Sequence, residues 1–305
     1  MATMQFVYGP VPSRRLGLSL GISPILKKTC NYSCVYCQLG QTHRMTNSRQ
    51  AFFTSDEIVG ELKNFLMQPI EFDVITIVGE GEPTLYLDLG QLIEDIKALT
   101  SKPVAVITNG ASLYEPLVQE ALMYADIVLP SLDAYDAHSF KKINRPHGHL
   151  EYSKVLEGLR SFSKKYRGQL WIEIMLISGM NDDDESIESF QAILKTISYD
   201  KLYLNTPIRP TAELNIEIVD HKRMAIITKQ LQAISIDLLE SEGFFSQIED
   251  DLQAIISIIK RHPMNQFEIM SFLNSRACKD YKTILQKLDS DQRVVLLNYK
   301  GYITY

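Results

Sequence analysis

Short apolar runs alternate along the chain with longer stretches in which apolar residues recur at helical spacing. Most of these runs are rich in Val, Ile and Leu, which is typical of strands buried on both faces of a parallel sheet. Six strands are predicted in this way, at residues 16–25, 72–78, 103–108, 126–132, 170–177 and 201–206. The segment 7–20 is interrupted by Gly9, Pro10 and Pro12, and we expect no regular element before the first strand.

A helix is predicted between the first and second strands and after each of the five strands that follow the first. Thr54 or Ser55 is a suitable N-cap for a helix that runs to about residue 66. The others are predicted at 87–99, 114–124, 151–166, from the acidic run after Asn181 to 197, and at 221–234. Strands and helices that alternate with short turns indicate a parallel sheet with right-handed crossovers. Six such units predict an α/β fold, a partial (β/α)6 TIM-like barrel.

The pattern changes from about residue 250. Three short helices are predicted, one ending before Pro263, one capped by Asn265 with Glu268 at capping-box spacing, and one after Cys278. A hairpin turning at Lys300–Gly301 follows. This order resembles a winged-helix domain, so two domains are expected, a barrel at 1–245 and a small winged-helix-like domain at 246–305.

Composition places the chain among ordinary globular proteins. Of its 305 residues, 45% are hydrophobic and 22% charged, and the net charge of −6 argues against a strongly basic nucleic-acid binder. The first residues lack the pattern of a signal peptide, and no apolar run reaches the length of a membrane span. We therefore expect a cytoplasmic protein without membrane partners.

Three of the four cysteines lie within eight residues, as Cys30, Cys34 and Cys37. Thiolates at this spacing can converge on one metal centre, whereas three clustered cysteines and a lone Cys278 do not form a disulfide framework. Structural zinc normally takes four protein ligands, and a cubane iron–sulfur cluster normally takes four cysteines. With three cysteines, one iron of a cluster would be open to a small molecule. Zinc and a cluster both remain candidates at this point.

The spacing C-x₃-C-x₂-C resembles the cluster motif of the radical S-adenosylmethionine (SAM) superfamily. The resemblance implies a [4Fe-4S] cluster held by Cys30, Cys34 and Cys37, with SAM bound at the open iron. It also implies an enzyme of oxidoreductase or transferase type, which cleaves SAM reductively and abstracts hydrogen from a substrate. A reductant protein of the flavodoxin or ferredoxin type would supply the electron. The partial barrel is also the fold of that superfamily.

The same resemblance implies which residues contact SAM, although it assigns no catalytic residue. The sequence Gly79–Pro83 resembles the glycine–glutamate motif that binds the SAM amino group, and Ser131 and Asp133 resemble a polar pair that contacts its ribose and carboxylate. Side chains two apart on a strand share a face, so both can contact one ligand. The implied cofactor-binding residues are Tyr36, Gly81, Glu82, Asn109, Ser131, Asp133 and Ile177.

Several polar residues outside these motifs are candidates for substrate binding. Arg14 and Arg15 are adjacent, and one of them can bind a phosphate or carboxylate because arginine forms bidentate contacts with both. The alternative is a solvated pair on a surface loop. Asn205 and Arg209 follow the sixth strand, where substrate groups often lie. Two further candidates, Arg145 and His147, lie in the loop after the fourth strand. Cys278 is interpreted as a small buried hydrophobe.

The residues before and after the cysteine motif resemble one branch of the superfamily, related to the tRNA enzyme wyosine synthase. Wyosine synthases carry further cysteines upstream for a second cluster, whereas no cysteine precedes Cys30 here. The branch predicts tRNA or RNA modification, with RNA bound through basic residues of the third C-terminal helix, Lys279, Lys282 and Lys287. The alternative is a non-catalytic nucleic-acid-binding or sensor protein that holds zinc or an iron–sulfur cluster.

Overall fold

The computed structural model describes residues 5–236, 244–246, 248–260, 262–278, 280–299 and 302–305, without the side chains of Tyr299 and Tyr302. Lys279 and the turn at Lys300–Gly301 therefore lie outside the described residues. The strands are β1 (Val7–Ser13), β2 (Gly17–Ile22), β3 (Thr29–Cys30), β4 (Arg44–Met45), β5 (Val74–Ile77), β6 (Val104–Thr108), β7 (Ile127–Pro130), β8 (Gln169–Met175), β9 (Lys201–Asn205), β10 (Ile234–Ser235), β11 (Leu297–Tyr299) and β12 (Tyr302–Thr304).

The helices confirm the alternation that the sequence predicts. They are α1 (Ser55–Leu66), α2 (Leu89–Leu99), α3 (Pro116–Leu122), α4 (Ala137–Ser139), α5 (Tyr152–Lys165), α6 (Asp184–Leu194), α7 (His221–Leu231), α8 (Asp251–Ile259), α9 (Gln266–Ser275) and α10 (Tyr281–Ser290). A 3₁₀ turn spans Pro83–Leu85, and a π turn at Phe140–Asn144 continues α4. The expected cap of α1 is Thr54, which forms a capping box with Glu57.

Eight strands form one sheet in the order β1-β2-β5-β6-β7-β8-β9-β10. The six predicted strands are confirmed as the central parallel strands β2 and β5 to β9. Among the pairings of the described residues, none joins the two edge strands β1 and β10. This mixed α/β architecture is consistent with the partial barrel that six strand–helix units predict.

The expectation of no regular element before the first strand is wrong, since β1 pairs with β2 in antiparallel fashion. Its register shifts between Tyr8 and Val11, where Gly9 adopts a left-handed φ of 94°. Prolines lack a backbone N–H, and an edge strand tolerates them because one of its sides needs no ladder hydrogen bonds. Pro10 and Pro12 therefore indicate an edge position for β1.

The last predicted barrel helix is too long at its carboxyl end. Helix α7 ends at Leu231 because Gln232 adopts a left-handed φ of 52°. The next residues form β10, in which Ile234 and Ser235 pair with β9 in parallel. A two-residue strand is too short to produce an apolar period, which explains why the sequence pattern did not predict it.

Side chains alternate between the two faces of the central strands, and the outer face packs against the helices. In β5, Ile75 and Ile77 belong to this outer core, together with Leu62 and Phe65 of α1. The inner face begins with an apolar layer in the barrel interior. Its members are Leu16, Val74, Ala105, Ile127, Leu129, Trp171, Tyr203 and Ile236. This layer fills the barrel at the amino ends of the strands.

The C-terminal helices pack around a second apolar core, against which Val11 of β1 also packs. The strands β11 and β12 pair with each other in antiparallel fashion. The predicted capping box is confirmed, since Asn265 accepts from the N–H of Glu268 and the Glu268 carboxylate accepts from the N–H of Asn265. The N–H of Phe245 donates to the carbonyl of Pro10 at 3.1 Å, so this part of the chain contacts the sheet edge. In the parts of the chain described above, no helix is both long and apolar enough to cross a membrane.

Two helical glycines give opposite predictions for the same substitution. A Cβ on Gly158 in α5 would lie 2.4 Å from the backbone nitrogen of Tyr114, whereas a Cβ on Gly60 in α1 would meet nothing within 4 Å. We expect Gly158→Ala to destabilise the protein by about 2 kcal/mol through overpacking. Gly60→Ala should stabilise it by up to about 1 kcal/mol, since alanine is the better helix former.

Denaturant unfolding of the two variants beside the wild type measures both effects. A Gly158→Ala protein as stable as Gly60→Ala would contradict the close packing of α5 on the segment that contains Tyr114.

Candidate functional site

The inward residues of the parallel strands change from apolar to polar towards their carboxyl ends. In β5, Val74 is followed on the same face by Thr76, and in β8, Trp171 is followed by Glu173. In β9, Tyr203 is followed by Asn205. Since residues two apart share a face, this spacing places a polar layer directly above the apolar one. The polar layer forms the floor of a cavity.

The cavity has a volume of about 420 Å³, in the range of small-molecule sites. The cysteine loop and the segment Gly79–Glu82 form one wall, and the carboxyl ends of β8 and β9 form another. His262, which follows α8, also lines it. Of the predicted site residues, it brings together Cys30, Cys34, Cys37, Tyr36, Gly81, Glu82, Asn109 and Ser131. Four of the six candidates for substrate binding, Arg14, Arg15, Asn205 and Arg209, line it as well.

Two of the three clustered thiols accept hydrogen bonds from asparagine side chains. Cys30 Sγ accepts from Asn109 Nδ2 at 3.5 Å and from the N–H of Tyr32 at 3.4 Å. Cys34 Sγ accepts from Asn144 Nδ2 at 3.6 Å. Donors aimed at sulfur stabilise a thiolate, and such bonds are typical around thiolate ligands.

The surroundings of the thiols nevertheless favour their neutral form. Burial raises the pKa of Cys30 to about 12, and the nearby Glu82 carboxylate adds to this shift. Burial is the main cause that raises the pKa of Cys34 well above its ordinary value, and the negative charge of the Asp133 carboxylate raises it further. Burial also raises the pKa of Cys37, which Lys28 partly offsets. Because a bound metal deprotonates its thiol ligands, an iron centre would supply the positive charge that this loop lacks.

Glu82 is a buried carboxylate that joins two strand ends. Its Oε1 accepts from the N–H and hydroxyl of Thr84 at 2.9 and 2.6 Å and from the Thr108 hydroxyl at 2.6 Å. Its Oε2 accepts from the N–H of Asn109 at 2.7 Å. Burial raises the pKa of Glu82, and these hydrogen bonds oppose the shift. The carboxylate thus holds the backbone of Asn109, whose side chain contacts Cys30.

Gly81 lies where a side chain would not fit. A Cβ at this position would lie 1.8 Å from the carbonyl oxygen of Thr29, the residue before Cys30. The N–H of Glu82 donates to that same carbonyl at 3.0 Å, and the N–H of Lys28 donates to the carbonyl of Glu80 at 2.5 Å. The glycine therefore allows the strand-end loop and the cysteine loop to lie directly against each other.

Asp133 is a second buried carboxylate, and it links β8 to the cysteine loop. Its Oδ2 accepts from the Tyr36 hydroxyl and from Asn144 Nδ2, the latter at 2.9 Å. Its Oδ1 accepts from the N–H of Met175 at 3.0 Å. Burial raises the pKa of Asp133 and also that of Tyr36. Asn144 therefore contacts this carboxylate and Cys34 at once.

Asp133 and Ile177 do not line the main cavity, unlike the other predicted SAM-contacting residues. Asp133 lies below Tyr36, beside a small second cavity that Ser131 and Asn109 also line. Ile177 is fully buried in an apolar cluster with Val35, and Tyr36 packs against this cluster. Ile177 thus contacts the underside of the cysteine loop.

Asn144 and Glu173 are polar residues of the site that the sequence interpretation did not assign. Arg145 and His147, in the same loop as Asn144, are two of the predicted candidates for substrate binding. Arg145 is instead exposed and pairs with Glu213 at 2.5 Å. The ring of His147 packs against His149 instead of lining the cavity. Glu173 pairs with Arg15, and the signal that could have revealed it is a charged residue on the inner face of a buried strand. Cys278 lies between α9 and α10 and packs against the C-terminal core.

In the described parts of the chain, no group of three or more His, Cys, Asp or Glu side chains is arranged so that it could hold a single metal ion. A tetrahedral zinc holds its sulfurs about 3.8 Å apart, given Zn–S bonds of about 2.3 Å. In a cubane cluster each thiolate binds a different iron, so that its cysteines need not approach one common point.

Comparison with known proteins gives a family match over more than half of the chain. The family model described as the radical SAM superfamily matches residues 25–190. A UPF0026 protein of Methanocaldococcus jannaschii is 35% identical over 320 residues, which cover 99% of this chain and 96% of that protein.

Two further proteins are similar over much of the chain. One named GTPase Obg, from Brachyspira hyodysenteriae, is 40% identical over 98% of this chain, which spans only 45% of that protein's length. A solved structure of TYW1 with a lysine-pyruvate adduct bound has a TM-score of 0.54 and 20% identity, covering 73% of this chain and 74% of that one. This likeness concerns the fold alone.

The four hydrogen bonds to Glu82 predict the effect of a nearly isosteric change. A glutamine in its place presents an N–H₂ group to one of the donors, so at least one buried donor loses its acceptor. We expect Glu82→Gln to destabilise the protein by about 2 kcal/mol, because a buried unsatisfied polar group costs that much.

The matched control is Glu94→Gln, at an exposed position in α2, which should change stability by less than about 0.5 kcal/mol. Thermal unfolding of both variants measures the difference. Equal melting temperatures would contradict the role of Glu82 as the link between the strand ends.

Proposed function

Since the chain belongs to the radical SAM superfamily, whose members use a [4Fe-4S] cluster and SAM, we propose that its cavity performs radical SAM chemistry. The observation that carries this proposal is that three clustered thiols line one wall of the cavity at the carboxyl ends of the parallel strands. This is the end of an α/β sheet at which ligands bind.

We assign Cys30, Cys34 and Cys37 as the residues that would hold the cluster. The donor set fits, because three thiols are the soft ligands that iron–sulfur clusters take and two of them receive hydrogen bonds from asparagines. When bound, the cluster would supply one electron to SAM, whose reductive cleavage would release methionine and give a 5′-deoxyadenosyl radical able to abstract hydrogen from a substrate. The chain's own residues position these groups and exclude water from them.

We further propose that some residues of the SAM site contact SAM directly and that others hold the contacting residues in place. The proposed residues are Tyr36, Gly81, Glu82, Asn109, Ser131, Asp133 and Ile177. Gly81, Asn109 and Ser131 line the cavity, so they are placed for direct contact. Glu82 also lines the cavity, and its Oε2 accepts one hydrogen bond from the chain, so it would hold Asn109 and still accept from a ligand. Ile177 is fully buried and would act by supporting the cysteine loop. Asp133 would position Tyr36 in the same way.

The substrate that we propose is RNA, with modification of tRNA as the leading case. Support comes from the resemblance of the cysteine-loop region to the wyosine branch and from two exposed lysines, Lys282 and Lys287, on α10. We propose that residues 246–305 form a winged-helix-like domain beside a barrel at 1–245, with this helix as the RNA contact. A flavodoxin or ferredoxin would be the electron donor, in a reducing compartment such as the cytoplasm.

The cluster assignment predicts that Cys34→Ala abolishes SAM cleavage. Removing one of three ligands leaves two irons without a protein ligand, so bound iron should fall well below about four per chain. The control is Cys278→Ala, which removes a thiol outside the cavity and should keep both iron and activity. Iron content and 5′-deoxyadenosine formation after anaerobic reconstitution measure the outcome, and full activity in Cys34→Ala would refute the assignment.

The RNA proposal predicts that Lys282→Glu combined with Lys287→Glu weakens tRNA binding and flattens its salt dependence, because two phosphate contacts are lost. The control exchanges two exposed lysines of α7, Lys222→Glu with Lys229→Glu, and carries the same change of charge. Filter binding at several salt concentrations compares them. Equal affinities in both double variants would rule out α10 as the contact surface.

A further inference from the structure

Three arginines meet at the end of the cavity where the C-terminal helices contact the barrel. Arg14 and Arg15 follow β1, and Arg209 follows β9, so residues far apart in sequence converge here. His262 lines the same end. We call this group the arginine end, and its members are Arg14, Arg15, Arg209 and His262. No role proposed above for the cluster or for SAM uses it.

Two of these arginines are neutralised by acidic side chains. Arg15 forms an ion pair with Glu173, which also accepts from Asn205 Nδ2 at 3.1 Å. Arg209 pairs with Glu268 at 3.3 Å and donates to the carbonyl of Pro263. These contacts fix both guanidinium groups and balance their charges.

His262 contributes no positive charge. Arg209 Nη2 lies 2.7 Å from His262 Nε2, and a guanidinium can only donate, so Nε2 must be the acceptor and the ring proton lies on Nδ1. Burial lowers the pKa of His262 well below its ordinary value, and the three arginines lower it further. The ring is therefore neutral.

Arg14 is left without a counter-charge. In the described part of the chain it makes no hydrogen bond and no ion pair, yet its charge acts on Arg15, Arg209 and His262. Two carboxylates, Glu173 and Glu268, thus face three guanidinium groups, which leaves one excess positive charge at this end of the cavity. Arg14 is half-buried in the cavity lining, so its guanidinium is available to pair with an anion that enters the cavity.

We propose that the arginine end binds an oxyanion of the substrate, a phosphate or a carboxylate group, and that Arg14 neutralises it. The proposal rests on the radical SAM function above, since it names the chemistry of the group that enters the same cavity. Arginine suits this role because its planar fork contacts two oxygens of either group. Lys28, another cavity cation, lies by Cys37 and belongs to the cysteine wall.

Binding at this end would orient the substrate. The oxyanion would lie against the C-terminal segment, and the rest of the molecule would extend along the polar floor towards the cysteine wall. The C-terminal segment would thereby contribute to substrate specificity through His262 and through Glu268, which fixes Arg209.

Titration calorimetry of the reconstituted full-length protein with inorganic phosphate, and separately with acetate, tests the proposal. We expect Arg14→Gln to weaken binding of at least one of these anions tenfold or more. The control is Arg167→Gln, which removes the same charge from an exposed position away from the cavity and should leave affinity unchanged. A loss confined to phosphate identifies a phosphate site, and a loss confined to acetate a carboxylate site. Equal affinities in the two variants for both anions would overturn the proposal.

A second variant tests the charge balance in the opposite direction. Glu173→Gln removes an acidic group from the arginine end and releases Arg15, so the anion should bind several-fold more tightly than to the wild type. Unchanged or weaker binding would overturn the proposal even if Arg14→Gln failed to fold. SAM cleavage by the wild type is measured separately, so that failure of the radical function is distinguished from failure of the anion site.

Discussion

Two buried carboxylates hold the cysteine loop against the sheet. Glu82 fixes the backbone of Asn109, which donates to Cys30, and Asp133 accepts from Asn144, which donates to Cys34. Two of the three thiols, Cys30 and Cys34, are thus connected through an asparagine to a carboxylate at a strand end. These hydrogen bonds give the buried donors acceptors and attach the cysteine loop to the ends of the strands.

The C-terminal segment contributes His262 to the lining of the cavity and contacts Arg209. Arg209 of the barrel contacts His262, Pro263 and Glu268, and Glu268 also caps α9. One carboxylate therefore ties the beginning of a C-terminal helix to a cavity residue. This arrangement gives the small helical unit a structural link to the arginine end of the cavity.

The local patterns predicted most of the strands and helices, and most of the residues singled out from the motifs line one cavity. Apolar runs predicted the six parallel strands, and capping residues such as Thr54 predicted helix ends, because both depend on neighbouring residues in sequence. Contacts between distant residues could not be read in this way. The pairing of β1 with β2, the position of Ile177 under the cysteine loop and the link from Asn144 to Cys34 all depend on tertiary packing.

The most direct test of the central claim is anaerobic reconstitution of the wild-type protein with iron and sulfide, followed by reduction with dithionite in the presence of SAM. Bound iron and 5′-deoxyadenosine are measured on the same sample. If the cavity performs radical SAM chemistry, about four irons per chain and formation of 5′-deoxyadenosine are expected. Tightly bound zinc with no cleavage of SAM would contradict it and would favour a metal-binding protein without catalysis.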